Sequence, residues 1–195
     1  MSQQTEIEAK FLNTNHDQMR QKLQDAGATL EHPMRPMRRV VIDTPNDEDW
    51  EFIRVRDEGD KVTLTFKKFR RDQPIGIDSA QEIETTVGDF QKALDILAAG
   101  GLHPRSYQES KRETWKLGDA EVVLDEWPWI QPYIEIEGGS EESIRRVAER
   151  LGFSWDDAVF GSVDMIYRRE YPALGERSVG ATSEVRFGAP VPDMF

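Results

Sequence analysis

A chain of 195 residues can bury one core of ordinary size, and its net charge of −12 sets long-range repulsion against any extended polyanion, which excludes broad nucleic-acid binding. With no cysteine, there is no disulfide framework, thiolate metal site or cysteine nucleophile. Residues 1–10 are polar and charged where a signal peptide would be apolar, and no later run approaches about 18 apolar residues, so the expectation is a cytoplasmic protein that does not enter a membrane.

In chain order, Glu6 to Phe11 alternates as a strand, with Glu6, Glu8 and Lys10 on one face and Ile7, Ala9 and Phe11 on the other. Met19, Leu23 and Ala26 then recur at helical spacing, and Gly27 can end that helix in a left-handed cap. Val40 to Asp43 is a short β-branched strand closed by Thr44-Pro45 and an acidic loop over residues 46–49. Phe52 to Arg56 and Val62 to Lys67 flank Asp57-Glu58-Gly59-Asp60, a hairpin turn with glycine available for a positive φ.

Residues 70–79 read as a mobile loop before the strand Gln81 to Val87. Phe90, Ala93, Leu94 and Leu97 form a second amphipathic helix ended by Gly100-Gly101, and Ser140 caps a third with Ile144, Val147 and Leu151 inward. Between them lie three strands, Lys111 to Leu117, Glu121 to Asp125 and Tyr133 to Glu137. Past Tyr171-Pro172 periodicity fades, so residues 173–195 are expected as a tail, dispensable for folding, or as the contact of a homodimer. His16, His32 and His103 lack metal-ligand spacing and are expected at the surface, while Trp127-Pro128-Trp129 is expected as a packed corner outside any site.

The alternation repeats one chemistry. Glu6 and Glu8, Glu82 and Glu84, and Glu135 and Glu137 are acidic pairs at i and i+2, Arg54 and Arg56 a basic pair, and Lys67 lies opposite the row Val62, Leu64 and Phe66. A sheet with one solvated face is the commonest source of such alternation. Yet like charges about 7 Å apart on one face repel, and three helices need an apolar surface to cover. If the apolar faces turn outward to the helices, the charged faces line an interior. Carboxylates there would suit Mg²⁺ or Mn²⁺, and Arg and Lys would suit phosphate oxygens. No glycine-rich phosphate loop is present to do that work.

Glu6-Ile7-Glu8-Ala9-Lys10 resembles the ExExK signature that opens CYTH domains, the triphosphate tunnel metalloenzymes. In order, Arg54-Val55-Arg56, the strand ending in Lys67, Glu82-Ile83-Glu84, Lys111-Arg112-Glu113-Thr114-Trp115, and Asp125 with Glu135-Ile136-Glu137 continue the resemblance. It covers roughly residues 3–170 and implies an α+β fold, a closed antiparallel barrel of about eight strands with helices outside, occupying residues 1–172. It implies Glu6, Glu8, Glu135, Glu137 and Asp125 as ligands of Mg²⁺ or Mn²⁺, and Lys10, Arg54, Arg56, Lys67, Arg112 and Lys111 as phosphate-binding residues, with Glu82, Asp125 and Lys10 catalytic.

Tyr167 is followed by Arg168 and Arg169, either of which could be the further basic residue with which the family often closes its barrel. The partner so implied is a small molecule bearing a triphosphate. Hydrolysis of an inorganic, nucleoside or thiamine triphosphate is the expected reaction; cyclisation of ATP to cyclic AMP and non-catalytic polyphosphate binding are the alternatives.

Overall fold

A computed structural model of the chain describes residues 4–46, 50–69, 76–78 and 80–195, with the side chains of residues 4–6 and 50 left out. Its strands are β1 (Gln4–Glu6), β2 (Glu8–Phe11), β3 (Thr29–Asp43), β4 (Trp50–Asp57), β5 (Val62–Phe69), β6 (Ala80–Val87), β7 (Pro104–Leu117), β8 (Ala120–Glu126), β9 (Tyr133–Glu137) and β10 (Glu184–Val185). The helices are α1 (His16–Asp25), α2 (Phe90–Ala99), α3 (Glu141–Arg150) and α4 (Asp164–Glu170).

All strands join one sheet in the order β1-β6-β5-β4-β3-β7-β8-β9-β2, with β10 added beside β7. Every pairing along this path is antiparallel. The two ends of the path, β1 and β2, are neighbours in the chain on either side of Ile7, so the sheet curls until its ends meet in one segment. This is the α+β barrel that the resemblance implies.

The apolar faces do turn outward. Ala9, Phe11, Val122, Leu124, Ile134 and Ile136 pack under α1 and α3, through Met19, Leu23, Ile144, Val147 and Leu151. On the other flank, Val40, Ile42 and Val55 pack under Phe90, Ala93 and Leu94 of α2. The helix ends are as expected: Gly27 has φ 74° and Gly101 φ 86° behind α1 and α2, and Ser140 accepts a hydrogen bond from the Ser143 amide as the N-cap of α3. The β4–β5 hairpin turns where expected, with Gly59 at φ 92°.

Several expectations need correction. The short strand at Val40 to Asp43 is the end of the fifteen-residue β3, whose earlier half contains Pro33 and Pro36. Residues 38–42 pair with both β4 and β7, whereas the proline-containing half pairs with β7 alone, through register shifts around His32 and Arg35. A missing amide donor is tolerated there because only one side of the strand is laddered. His16 is buried, its Nε2 3.3 Å from the Tyr133 carbonyl oxygen, because the first turn of α1 lies on the sheet. The loops read over 46–49 and 70–79 fall mostly outside the described residues.

Residues 173–195 pack back on the barrel. β8 covers β7 only from Lys111 onward, and β10 pairs with β7 in the uncovered half, at Tyr107 and Gln108. Leu174, Val179 and Val185 are buried with Ile166 and Tyr167 of α4, and Phe195 stacks on Tyr167 at 5.7 Å. No helix among the described residues is long and apolar enough to cross a membrane.

Candidate functional site

The inward faces of the strands enclose a cavity of about 980 Å³ lined mainly by charged side chains. Strand register decides which charges meet. Lys67 lies opposite Glu82, Arg54 opposite Thr65 and through it Glu84, Arg112 opposite Asp125, and Lys10 opposite Glu135. Glu8 lies opposite Glu137, which in turn faces Glu121 on β8. Five basic candidates, Lys10, Arg54, Arg56, Lys67 and Arg112, and five acidic ones, Glu8, Glu82, Glu84, Glu135 and Glu137, therefore line one space.

All five of these cations are already paired. The buried Lys10 ammonium lies 2.7 Å from Glu8 and 3.1 Å from Glu135. Burial alone would lower the Lys10 pKa, but Glu135 and Glu8 outweigh it and hold it above the ordinary lysine value. Burial would likewise raise the Glu135 carboxyl; Lys10 and Arg112 reverse that and keep it well below the carboxylate range. Arg112 donates two bonds to the fully buried Asp125, at 2.7 and 2.6 Å, the bidentate geometry that suits a guanidinium and a carboxylate.

Arg54 approaches Glu84 at 3.5 Å and Glu82 at 3.7 Å, and Lys67 reaches Glu82 at 3.6 Å. Partial burial would raise the Glu84 carboxyl, yet a 2.7 Å bond from Thr65 and the charges of Arg56 and Arg54 hold it below its usual range. Arg56 is clamped by Glu58 at 2.8 and 2.6 Å. Burial and the neighbouring Arg54 still push its pKa down to about 10. Glu58, read only as part of the hairpin turn, is buried because its carboxylate holds this clamp.

A CYTH domain family model matches residues 4–156. The chain belongs to the CYTH family. No curated protein matches it. Among solved structures, this CYTH domain is similar to a candidate adenylate cyclase from Vibrio parahaemolyticus, at 15% identity and a TM-score of 0.69, over 85% of this chain and 99% of that one. A Pyrococcus horikoshii protein is 22% identical with a TM-score of 0.65, over 79% of this chain and 94% of its own. A candidate adenylate cyclase from Bacillus halodurans is 19% identical with a TM-score of 0.52, over 79% and 93%. At these identities the likeness is one of fold.

The family resemblance implies a divalent cation, and the donor chemistry of this CYTH domain fits one. Glu8, Glu137 and Glu121 form a row across three strands with like charges directly opposite, an unfavourable arrangement that a cation would relieve. The donors are all carboxylate oxygens, as a hard cation prefers. Among the described residues no three acidic or histidine side chains already surround one point. The Glu6 side chain lies outside the described residues, and Asp125 has both oxygens engaged by Arg112.

Lys111 does not join the site. Adjacent residues of a strand face opposite ways, so with Arg112 inward Lys111 points outward, 3.0 Å from Glu126 and over the Phe187 ring. Lys111→Ala is accordingly expected to change the affinity for a triphosphate by less than about twofold, the small effect usual for an exposed ion pair, as calorimetric titration would measure. Of the two C-terminal candidates, Arg168 lines the cavity and donates to the Glu176 carbonyl oxygen at 2.6 Å, while Arg169 is exposed and lies off it.

The cavity also holds residues that sequence reasoning missed. Arg39 lines it from β3, with Gln108 beside it on β7 and the Trp127 ring against its guanidinium. Trp127 thus borders the site from which it was excluded. The signal for Arg39 was its place two residues before Val41, on the face opposite Val40 and Ile42. The C-terminal segment adds Ser178, Val179 and Gly180 at one mouth, anchored by Asp164, which accepts bonds from the Ser178 hydroxyl at 3.0 Å and the Val179 amide at 2.8 Å.

Proposed function

We propose that this CYTH domain binds a triphosphate-bearing small molecule together with a divalent cation and hydrolyses its terminal phosphoanhydride bond. One observation carries the reading: a single cavity sets Lys10, Arg39, Arg54, Arg56, Lys67 and Arg112 against a row of inward carboxylates. Such a mixed wall suits a polyanion that brings its own cation better than it suits either ion alone.

In this reading the forked arginines take phosphate oxygens two at a time, and Lys67 and Lys10 act as point charges. Phosphoryl transfer spreads charge over the equatorial oxygens of the transferred group, so donors fixed by Glu58 and Asp125 before substrate arrives reduce reorganisation at the transition state. Asp125 is suited to holding Arg112, and Glu82, half-buried and facing the cavity between Lys67 and Arg54, is the better placed to orient a water. A divalent cation, Mg²⁺ or Mn²⁺, held by Glu8, Glu135 and Glu137 with Glu6, would supply Lewis-acid neutralisation of phosphate charge.

The test is product release from tripolyphosphate, ATP and thiamine triphosphate with Mg²⁺, with Mn²⁺ and with chelator. Phosphate release that chelation abolishes is the expected result. Cyclic AMP with pyrophosphate from ATP would instead assign cyclisation, and neither binding nor product from any of the three would overturn the triphosphate reading.

A further inference from the structure

Among the described residues, charge pairing inside the barrel has one exception. Lys10, Arg54, Arg56, Lys67 and Arg112 each have a carboxylate within ion-pair distance. Among the described residues Arg39 has none. Its cross-strand partner on β4 is another arginine, Arg56, and its partner on β7 is the neutral Gln108. Like charges directly opposite one another in a sheet are destabilising, so this is a costly place for a further cation. Burial, then Arg54 and Arg56, push its pKa down to about 9, which still leaves it charged at neutral pH.

The guanidinium is nevertheless held in one orientation. Its Nε donates to the Gln108 side-chain oxygen at 2.9 Å, and Gln108 is itself fixed by a 3.1 Å bond to the Ser106 hydroxyl. Its Cζ lies 4.1 Å from the Trp127 ring centroid, and Trp127 packs edge-on against the buried Tyr167 at 6.5 Å. With Nε occupied and one face covered, the two Nη groups remain, and neither donates a hydrogen bond within the described residues. An arginine that is oriented, exposed to the cavity and left without an anion presents a fork suited to two phosphate oxygens.

We propose that Arg39, which lies in none of the six segments carrying the family resemblance, is a further anion-binding residue of the tunnel, presented to substrate phosphate oxygens by Gln108 and the face of Trp127. This rests on the reading of the tunnel as a triphosphate site. The competing role is packing, in which Arg39 serves only as a cover for Trp127. The two roles differ in the ligand-free protein. A packing residue stabilises it, whereas an unpaired cation among cations does not, so removing its charge should leave the free protein as stable or more so.

The experiment is calorimetric titration of the full chain with diimidotriphosphate, whose bridges resist hydrolysis, in the presence of Mn²⁺, together with melting temperatures with and without it. Arg39→Gln is expected to bind about tenfold to a hundredfold more weakly, as befits the loss of a charge-assisted bidentate contact, and to melt, free of ligand, no lower than wild type. Arg39→Lys, which keeps the charge and loses the fork, should fall between.

Wild-type affinity in Arg39→Gln, with the wild-type protein binding, overturns this inference alone. A lower melting temperature in the free variant with an undiminished ligand-induced shift assigns packing and overturns it too. A wild-type protein that binds no triphosphate overturns the reading of the tunnel and this inference with it. If Arg39→Gln does not fold, Arg39→Lys decides: unchanged affinity there counts against the proposal.

Discussion

Glu137→Gln is expected to lower turnover of a metal triphosphate by about a hundredfold or more while leaving the melting temperature within about 2 °C of wild type. Glu137 is exposed at the end of β9, and substitutions at such positions usually shift stability by no more than about 0.5 kcal/mol. Its carboxylate nonetheless faces Glu8 and Glu121, so glutamine removes a full charge from the row that would hold the cation. Lewis-acid stabilisation is worth several kcal/mol, and each 1.36 kcal/mol is about a tenfold change in rate.

Glu8→Gln should behave differently. Glu8 is the nearer counter-ion of the buried Lys10, at 2.7 Å, so its loss should reduce both turnover and stability. Paired steady-state assays and thermal scans of the two variants separate a ligand from a structural ion. Wild-type turnover with unchanged metal dependence in Glu137→Gln would refute the donor assignment.

The charged interior was legible because a strand's side-chain period of two needs only a few residues to declare itself. Ile7, Ala9 and Phe11 on one face force Glu8 and Lys10 to the other, whatever the barrel around them does. Which charges then meet is a matter of register. Glu8 opposite Glu137 joins residues far apart in the chain, and no local pattern encodes it.

The misses have equally local causes. In β7, Lys111, Arg112, Glu113 and Lys116 put charge on both faces, since Glu113 is buried on the outside by Arg20 and the Trp115 indole. Alternation there could not say which cation faced inward. In β3, Pro33 and Pro36 mask a strand that only its one-sided pairing tolerates, and Arg39 was lost with it. Glu58 sits in a sequence whose local signal is a turn, and its burial depends on Arg56 and Arg35 converging on it from two strands.

Val185→Asp is expected to lower the melting temperature by about 10 °C or more, or to prevent recovery of soluble protein, although it lies beyond the stretch that the family model matches. Val185 is fully buried, and β10 is the cover that β7 has where β8 stops short. A carboxylate placed there has no basic partner in the apolar cluster of Trp127, Ile166, Tyr167, Leu174 and Val179, and burying an unpaired charge costs several kcal/mol. For a domain of this size each kcal/mol moves the melting temperature by about 2–4 °C.

The damage should also reach the tunnel. The same segment supplies Ser178 and Gly180 to the cavity wall, and Tyr167, on which Phe195 stacks, is the surface against which Trp127 is set. Deleting residues 176–195 should act in the same direction, because it uncovers Tyr167 and the edge of β7 together. Circular dichroism melts of both variants against wild type make the comparison. A truncated protein that melts and binds triphosphate as the full chain does would show that the segment rests on the barrel without being needed by it, and that the barrel wall is complete without β10.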